Sequence, residues 1–99
     1  MDAQQAREHT AALFRALGSP KRLELMEWIA DNPCSVSELA DRCGISQPLA
    51  SQHLRALREV GAVRPDRQGR SVQYRIVDDH VAHIVGDALA HAQEGHHDD

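Results

Sequence analysis

Residues 35–61 read SVSELADRCGISQPLASQHLRALREVG, and this segment contains the start and stop signals of two short helices. Ser35 followed three positions later by Glu38 forms a capping box, which typically opens a helix. Gly44 is suited to end that helix, and Gly61 is suited to end the next one. The segment therefore predicts two helices joined by a tight turn.

The flanking sequence predicts further elements on both sides. On the N-terminal side, a period of three to four residues in the apolar positions indicates a helix, and Ser19-Pro20 is a cap followed by proline at the first helical position. On the C-terminal side the period changes to two, which indicates strands. The predicted elements are helices 4–17, 20–30, 36–43 and 47–60, strands 63–66 and 71–77 with a loop at 67–70, and a last helix that Asp78 or Asp79 caps and that runs to 94.

Two helices in this arrangement, followed by a hairpin, are typical of a winged helix-turn-helix. The expected fold class is therefore mainly α (α+β), with the order α-α-α-α-β-β-α. With 99 residues in all, we expect a single winged-helix domain for DNA binding and dimerisation over residues 1–94. Residues 95–99 form a tail rich in His and Asp.

The distribution of charge favours nucleic acid as a partner, although the net charge is −4. Residues 42–75 contain seven arginines and two carboxylates, whereas the rest of the chain contains four basic and thirteen acidic residues. Charge separated in this way indicates a basic working surface on an acidic body.

The second helix of the 35–61 segment has the composition of a DNA-reading helix. If Leu54 and Leu57 are buried, its polar residues turn outward, and Gln and Arg can bond the edges of bases in the major groove. The arginines of the hairpin can reach phosphates or the minor groove of double-stranded DNA. The predicted DNA contacts are Ser46, Gln47, Ser51, Gln52, His53 and Arg55 in the helix and Arg67, Gln68 and Arg70 in the wing.

The C-terminal residues combine imidazoles with carboxylates, which suits zinc, cobalt or nickel. His80 and His91 are eleven residues apart and share one helix face, yet they lie roughly 16 Å apart along its axis. A zinc ligand lies about 2 Å from the metal. One helix therefore cannot bring both ends of this set to one ion, and a second chain must supply the other half.

Other classes of protein are not supported. No apolar run approaches the roughly 18 residues of a membrane span, and no secretory signal is visible, so a cytoplasmic location is expected. In a reducing compartment Cys34 and Cys43 are free thiols. No nucleophile has a base at suitable spacing, so we expect neither an enzyme nor a small organic substrate.

Several motifs resemble the ArsR/SmtB family of metal-responsive repressors, and the resemblance covers nearly the whole chain. It implies a homodimer formed through the first and last helices. It also implies that the apo homodimer binds an operator, a short inverted repeat, and releases it when metal binds. The motifs are LGSPKRL at 17–23, SELA at 37–40, ISQPLASQHL at 45–54, LREVG at 57–61 and GRSVQY at 69–74.

The resemblance also implies a ligand set. The family pattern Asp-x-His, ten residues, His-x-x-Glu or His is matched by Asp78 and His80 and by His91 and Glu94. Zinc fits this set best, and cobalt and nickel are the alternatives, above all if His96 or His97 of the tail adds a ligand.

Other interpretations of these residues stay open. His83 suits an ordinary surface position, because the family pattern does not use it. The family's Cys-x-Cys site is doubtful, since Ala40-Asp41-Arg42 occupies that stretch and Cys43 falls one place late. The protein could instead be a metal-independent or thiol-redox winged-helix repressor, or a metal store that does not act on DNA.

Overall fold

The computed structural model describes residues 1–95, which form five helices and a two-stranded antiparallel hairpin. This is the predicted order, and it confirms the winged helix-turn-helix fold. None of the helices in this part of the chain has the length and apolar character needed to cross a membrane. The elements are α1 (Ala3–Leu17), α2 (Pro20–Asp31), α3 (Val36–Cys43), α4 (Gln47–Glu59), β1 (Val63–Gln68), β2 (Ser71–Ile76) and α5 (Asp79–Gly95).

Hydrogen bonds and a glycine at the helix ends determine where α3 begins and ends and where α4 begins. The hydroxyl of Ser35 accepts a hydrogen bond from the N–H of Glu38 at 3.1 Å, and the Glu38 carboxylate accepts one from the N–H of Ser35 at 2.9 Å. Ser46 caps α4, and its hydroxyl accepts a hydrogen bond from the N–H of Leu49 at 3.2 Å. Gly44 joins the helices with a φ of 66°, which an L side chain rarely adopts. The helix-turn-helix is therefore predictable from short-range sequence.

The hairpin is longer than the sequence predicts. Arg67 and Gln68, predicted in a loop, extend β1, and Gln68 pairs with Ser71. Gly69 and Arg70 alone make the turn, because a φ of 61° at Gly69 lets the chain reverse over two residues. The Ser71 hydroxyl then donates to the carbonyl of Gln68 at 3.0 Å. The tip of the wing is consequently a tight turn on a regular ladder.

The helix α2 lies at the centre of the molecule and contacts α1, α3, α4, α5 and β2. Its Leu25 and Met26 are completely buried. Truncating a buried side chain of this kind costs about 2–5 kcal/mol, so the core fixes how the helix-turn-helix sits on the rest of the domain. The other buried apolar residues of the core include Leu39, Leu54, Leu57, Val63, Val81 and Val85.

The helices α1 and α5 leave apolar side chains exposed. Phe14 of α1 is 53% exposed and Ile84 of α5 is 39% exposed. The apolar residues of α5 recur at helical spacing and form a stripe, of which Val81 and Val85 are buried and Leu89 is half-buried, because α5 meets α2 and β2 along a narrow face. The remaining members of the stripe that lie exposed in one chain are Ile84, Ala88 and Ala92.

Candidate DNA-reading surface and metal site

The helix α4 presents most of the predicted reading residues to solvent. Its buried face consists of Ala50, Leu54 and Leu57, which hold it against the core. The amide and guanidinium groups that can bond base edges lie outside this face. The exposed residues of the predicted set in this helix and its cap are Ser46, Gln47, Ser51, Gln52 and Arg55.

His53 is less exposed than the other residues of α4 that were predicted to turn outward. Its ring is half-buried on the flank of α4 next to α2, and its Nδ1 accepts a hydrogen bond from Nε of Arg22 at 3.1 Å. Burial lowers the pKa of His53, and the nearby cations Arg22 and Lys21 lower it further. The neutral ring is therefore favoured, and one of its nitrogens already has a partner inside the protein.

The wing displays arginines around one carboxylate. Asp66 lies 2.6 Å from Nε of Arg75 and 3.8 Å from Nε of Arg64. Arg67 and Arg70, which were predicted to contact DNA, are exposed near the turn, and so is Gln68. Within residues 1–95 no ion pair engages Arg67 or Arg70. The positive charge of the wing is thus concentrated at its tip.

The first half of the predicted metal site lies at the start of α5. Asp78 is the cap of this helix, since its Oδ1 accepts the N–H of Val81 at 3.0 Å. A carboxylate has two oxygens, so this hydrogen bond fixes the Asp78 side chain and leaves its second oxygen as a possible metal ligand. His80 follows in the first turn and is exposed. Both groups are held near the same helix end.

The second half of the predicted site lies at the other end of α5. His91 and Glu94 occupy its last turns and are exposed. Within residues 1–95 of one chain, no three His, Cys, Asp or Glu side chains lie close enough to hold a metal ion. The two pairs therefore lie at opposite ends of α5, and one chain alone does not bring the four side chains to one ion. The eleven-residue spacing of His80 and His91 leads to the same conclusion. His96 and His97 lie outside the described residues.

The donor chemistry of the four residues fits a borderline divalent metal. Two imidazoles and two carboxylates from exposed positions match the nitrogen and oxygen ligands that zinc accepts at about 2.0–2.2 Å. Exposure at both ends of a helix also leaves each pair accessible to another chain. The residues present are thus suited to zinc in chemistry, with the set divided between two ends of α5.

The two cysteines lie in the core. Burial raises the pKa of both the Cys34 and the Cys43 thiols, although the Arg42 guanidinium, which donates to Sγ of Cys34 at 3.4 Å, works in the opposite direction there. The same guanidinium lies 5.1 Å from the centre of the Trp28 ring. Thiols that stay protonated are poor nucleophiles and poor metal ligands.

Two residues outside the predicted set contact the helix-turn-helix directly. Lys21 Nζ donates to the carbonyl of Cys43 at 2.9 Å, and Arg22 donates to His53. The positions of these two residues are informative, because a cation in the first turn of a helix is disfavoured by the dipole of that helix. Lys21 pairs with Glu24 on the same helix at 2.9 Å, but spacing alone does not identify the acceptors that both cations have on other helices.

The fold, the exposed face of α4 and the basic wing define a winged helix-turn-helix protein. A sequence model of the family described as bacterial regulatory protein, arsR family, matches residues 19–64. The HTH-type transcriptional regulator NmtR of Mycobacterium tuberculosis is 37% identical over 92 residues, which cover 93% of this chain and 77% of that protein. The chain belongs to the ArsR family. A family of regulatory proteins agrees with the expectation that this is not an enzyme.

Two further comparisons support this assignment. The HTH-type transcriptional repressor SmtB of M. tuberculosis is 46% identical over 82 residues, which cover 83% of this chain and 61% of that protein. The chain thus spans less than two thirds of the length of this relative. A solution structure of a homodimeric winged helix-turn-helix DNA-binding domain from Mycobacterium bovis matches with a TM-score of 0.86 and 28% identity, covering 96% of this chain and 89% of that one.

Proposed function

We propose that this protein is a cytoplasmic metal-responsive transcriptional repressor. As an apo homodimer it binds operator DNA, and it releases the DNA when Zn(II), or alternatively Co(II) or Ni(II), is bound between the C-terminal helices. The observation that carries the proposal is the division of four metal-binding side chains between the two ends of α5. Asp78 and His80 at one end need a partner's His91 and Glu94 to complete a site.

The DNA-binding part of the proposal rests on α4 and the wing. Gln47, Gln52 and Arg55 lie exposed on a helix of the length that enters a major groove. Arg67 and Arg70 extend the positive surface at the tip of the hairpin. The resulting surface supplies side chains both for base edges and for phosphates.

The dimer part of the proposal rests on apolar exposure. Large apolar side chains left exposed on a small domain are candidates for a partner surface. Phe14 of α1 and Ile84 of α5 are exposed, and they lie on the two helices for which a dimer interface is expected. A two-fold axis that pairs two α5 helices in antiparallel fashion gives two equivalent metal sites.

The coupling between metal and DNA follows from this arrangement. When bound, the ion would supply a cross-link between the two α5 helices. Because α5 packs on α2, and α2 in turn contacts α4, a change in the crossing of the α5 helices is transmitted to the reading helices. The coupling is reciprocal, so DNA weakens metal binding by the factor by which metal weakens DNA binding.

The test uses a fluorescent duplex that the apo protein recovers from a randomised pool. We expect tight binding in the presence of a chelator and release on addition of Zn(II), measured by fluorescence anisotropy. His80→Ala should bind the duplex and fail to release it. His83→Ala is the matched control, because His83 is also exposed on the same helix and should respond as the wild type does. No binding by the apo protein, or normal release from the His80→Ala variant, would contradict the proposal.

Three alternative functions predict different results. A metal-independent repressor binds the duplex equally well with Zn(II) and with chelator. A thiol-redox repressor loses the duplex on oxidation and keeps it when Cys34 is replaced by Ser. The burial and the raised pKa of both thiols disfavour this second alternative. A metal store binds Zn(II) without any effect on DNA.

A further inference from the structure

The first turn of α2 carries two adjacent cations that contact three other helices. Lys21 Nζ lies 2.9 Å from the carbonyl oxygen of Cys43, the last residue of α3. Arg22 Nη1 lies 3.2 Å from the carbonyl oxygen of Ala16 in the last turn of α1, and its Nε lies 3.1 Å from Nδ1 of His53 in α4. One turn of helix thus connects both helices of the helix-turn-helix to α1.

The dipoles of neighbouring helices explain why Lys21 and Arg22 are favourable in the first turn of α2. A cation in the first turn of a helix is disfavoured by that helix's own dipole, but it is favoured at the C-terminal end of another helix. Lys21 lies at the C-terminal end of α3, and Arg22 lies at the C-terminal end of α1. Arg22 then has its Nε left to donate to His53, so a single planar guanidinium joins α1 to α4.

We propose that Arg22 and His53 are positioning residues, which together hold the reading helix α4 at a fixed placement relative to α1. The inference rests on the proposed function, because α1 belongs to the expected dimer surface and α4 is the expected reading helix. It also revises the role of His53, which positions α4 through Arg22 and does not contact a base. Two reading helices must match successive major grooves about 34 Å apart, so a loosened link lowers affinity.

The link requires an unprotonated Nδ1 on His53. The charged groups that act on the ring are Arg22 and Lys21, both from α2, while α1 reaches it through the Ala16 carbonyl and Arg22. Protonation of His53 places a positive charge next to Arg22 and Lys21, and it removes the acceptor to which Arg22 donates. Because the pKa of His53 lies below its ordinary value, the link is intact above about pH 6.5 and is lost as the pH falls through the lowered value.

The first experiment measures the affinity of the full-length apo protein for the selected duplex, with a chelator present. We expect R22A and H53A each to weaken binding about tenfold, and the double variant to be no weaker than either. H53Q should recover most of the affinity lost in H53A, since a Gln oxygen can accept the same hydrogen bond at any pH. H53Q should also lose the part of the pH dependence that the wild type shows below about pH 6.5.

The salt dependence separates positioning from direct contact. A side chain that contacts phosphate contributes about one unit to the slope of log affinity against log salt. We expect the slope to be unchanged in R22A and H53A. Additive losses in the double variant, or a slope lowered by about one unit per substitution, would show direct DNA contacts and overturn the proposal.

A second measurement tests the link without DNA. Nitrogen-15 shifts of the imidazoles should show His53 as the tautomer protonated at Nε2, and R22A should raise the pKa of His53. R22M provides the same test if R22A is unstable, because it keeps the apolar stem of the side chain and removes both the charge and the two directed bonds. An unchanged His53 titration overturns the link. If no duplex is recovered at all, the proposed function fails while these spectra still decide the link.

Discussion

Asp66 and Arg75 form an ion pair on the hairpin, with 2.6 Å between Oδ2 and Nε. In register Asp66 faces Gln73, so the pair runs diagonally between the strands. The other carboxylate oxygen lies 3.8 Å from Nε of Arg64. This carboxylate therefore offsets positive charge at the base of the wing and leaves the excess at Arg67 and Arg70.

Replacing Asp66 with Asn should increase binding to any duplex. The change adds one net positive charge to the wing, so the salt dependence should become steeper by up to about one unit of slope. Anisotropy with an unselected duplex over a salt series measures both effects. E8Q on α1 makes the same charge change far from the wing and serves as the control. Equal affinities of D66N and wild type at low salt would contradict the expectation.

Replacing Glu24 with Gln should destabilise the fold in a pH-dependent way. Glu24 accepts hydrogen bonds from Lys21 at 2.9 Å and from Trp28 at 3.4 Å, and the bond from Lys21 is the main cause of its lowered pKa. Since the folded-state pKa lies below the ordinary 4.5, the stabilisation is present above that value and is lost as the pH falls through the lowered one. The pair is over a third exposed, so the loss at neutral pH should stay below about 1 kcal/mol.

Urea unfolding at neutral pH and at about pH 3 measures this difference. E27Q on the same helix is the control, because Glu27 is exposed. A loss for E24Q that persists unchanged in acid would show that the side chain acts through packing and not through its charge.

Replacing Ile84 with Glu should break the proposed homodimer. Ile84 lies on the exposed face of α5, and a charge buried in an apolar interface without a partner is costly, so dimerisation should weaken about tenfold or more. Sedimentation velocity measures the change. Leu49 on α4 is a matched control, because both side chains are 39% exposed and Leu49 lies on the proposed DNA side. If L49E dissociates the dimer and I84E does not, the interface lies elsewhere.

Cobalt(II) should report on the metal ligands. In the proposed site, four ligands from Asp78, His80, His91 and Glu94 would give a tetrahedral ion, which absorbs strongly in the visible range, whereas six-coordinate cobalt absorbs weakly. We expect strong absorption that is lost in H80A. The double substitution H96A/H97A should leave it unchanged. A weak wild-type spectrum that becomes strong in this double variant would assign ligands to the tail.

The sequence predicts the elements whose signals lie within a few residues. The capping box of Ser35 and Glu38, the cap at Ser46 and the glycine at 44 each act on the nearest turn, so their outcome does not depend on the rest of the fold. The sequence prediction of the hairpin is wrong at three residues. Arg67 and Gln68 extend β1, because the left-handed Gly69 allows a tighter turn than its polar neighbours suggest, and Val77 lies outside β2.

Contacts between distant parts of the chain could not be predicted in this way. Arg22 and His53 are 31 positions apart, and helical periodicity placed His53 on an outward flank without showing that α2 lies against it. The exposure of Ile84 could not be predicted for a similar reason. A period identifies an apolar stripe, but tertiary packing decides how much of it one chain covers.

The placement of the two ligand pairs at opposite ends of α5 has a genetic consequence. Each subunit in the proposed assembly contributes to two centres, so a chain lacking His80 and a chain lacking His91 are each inert alone. Mixed together, they form heterodimers in which one centre lacks both imidazoles and the other is intact. Two defective alleles should therefore complement each other and restore part of the zinc response that neither provides by itself.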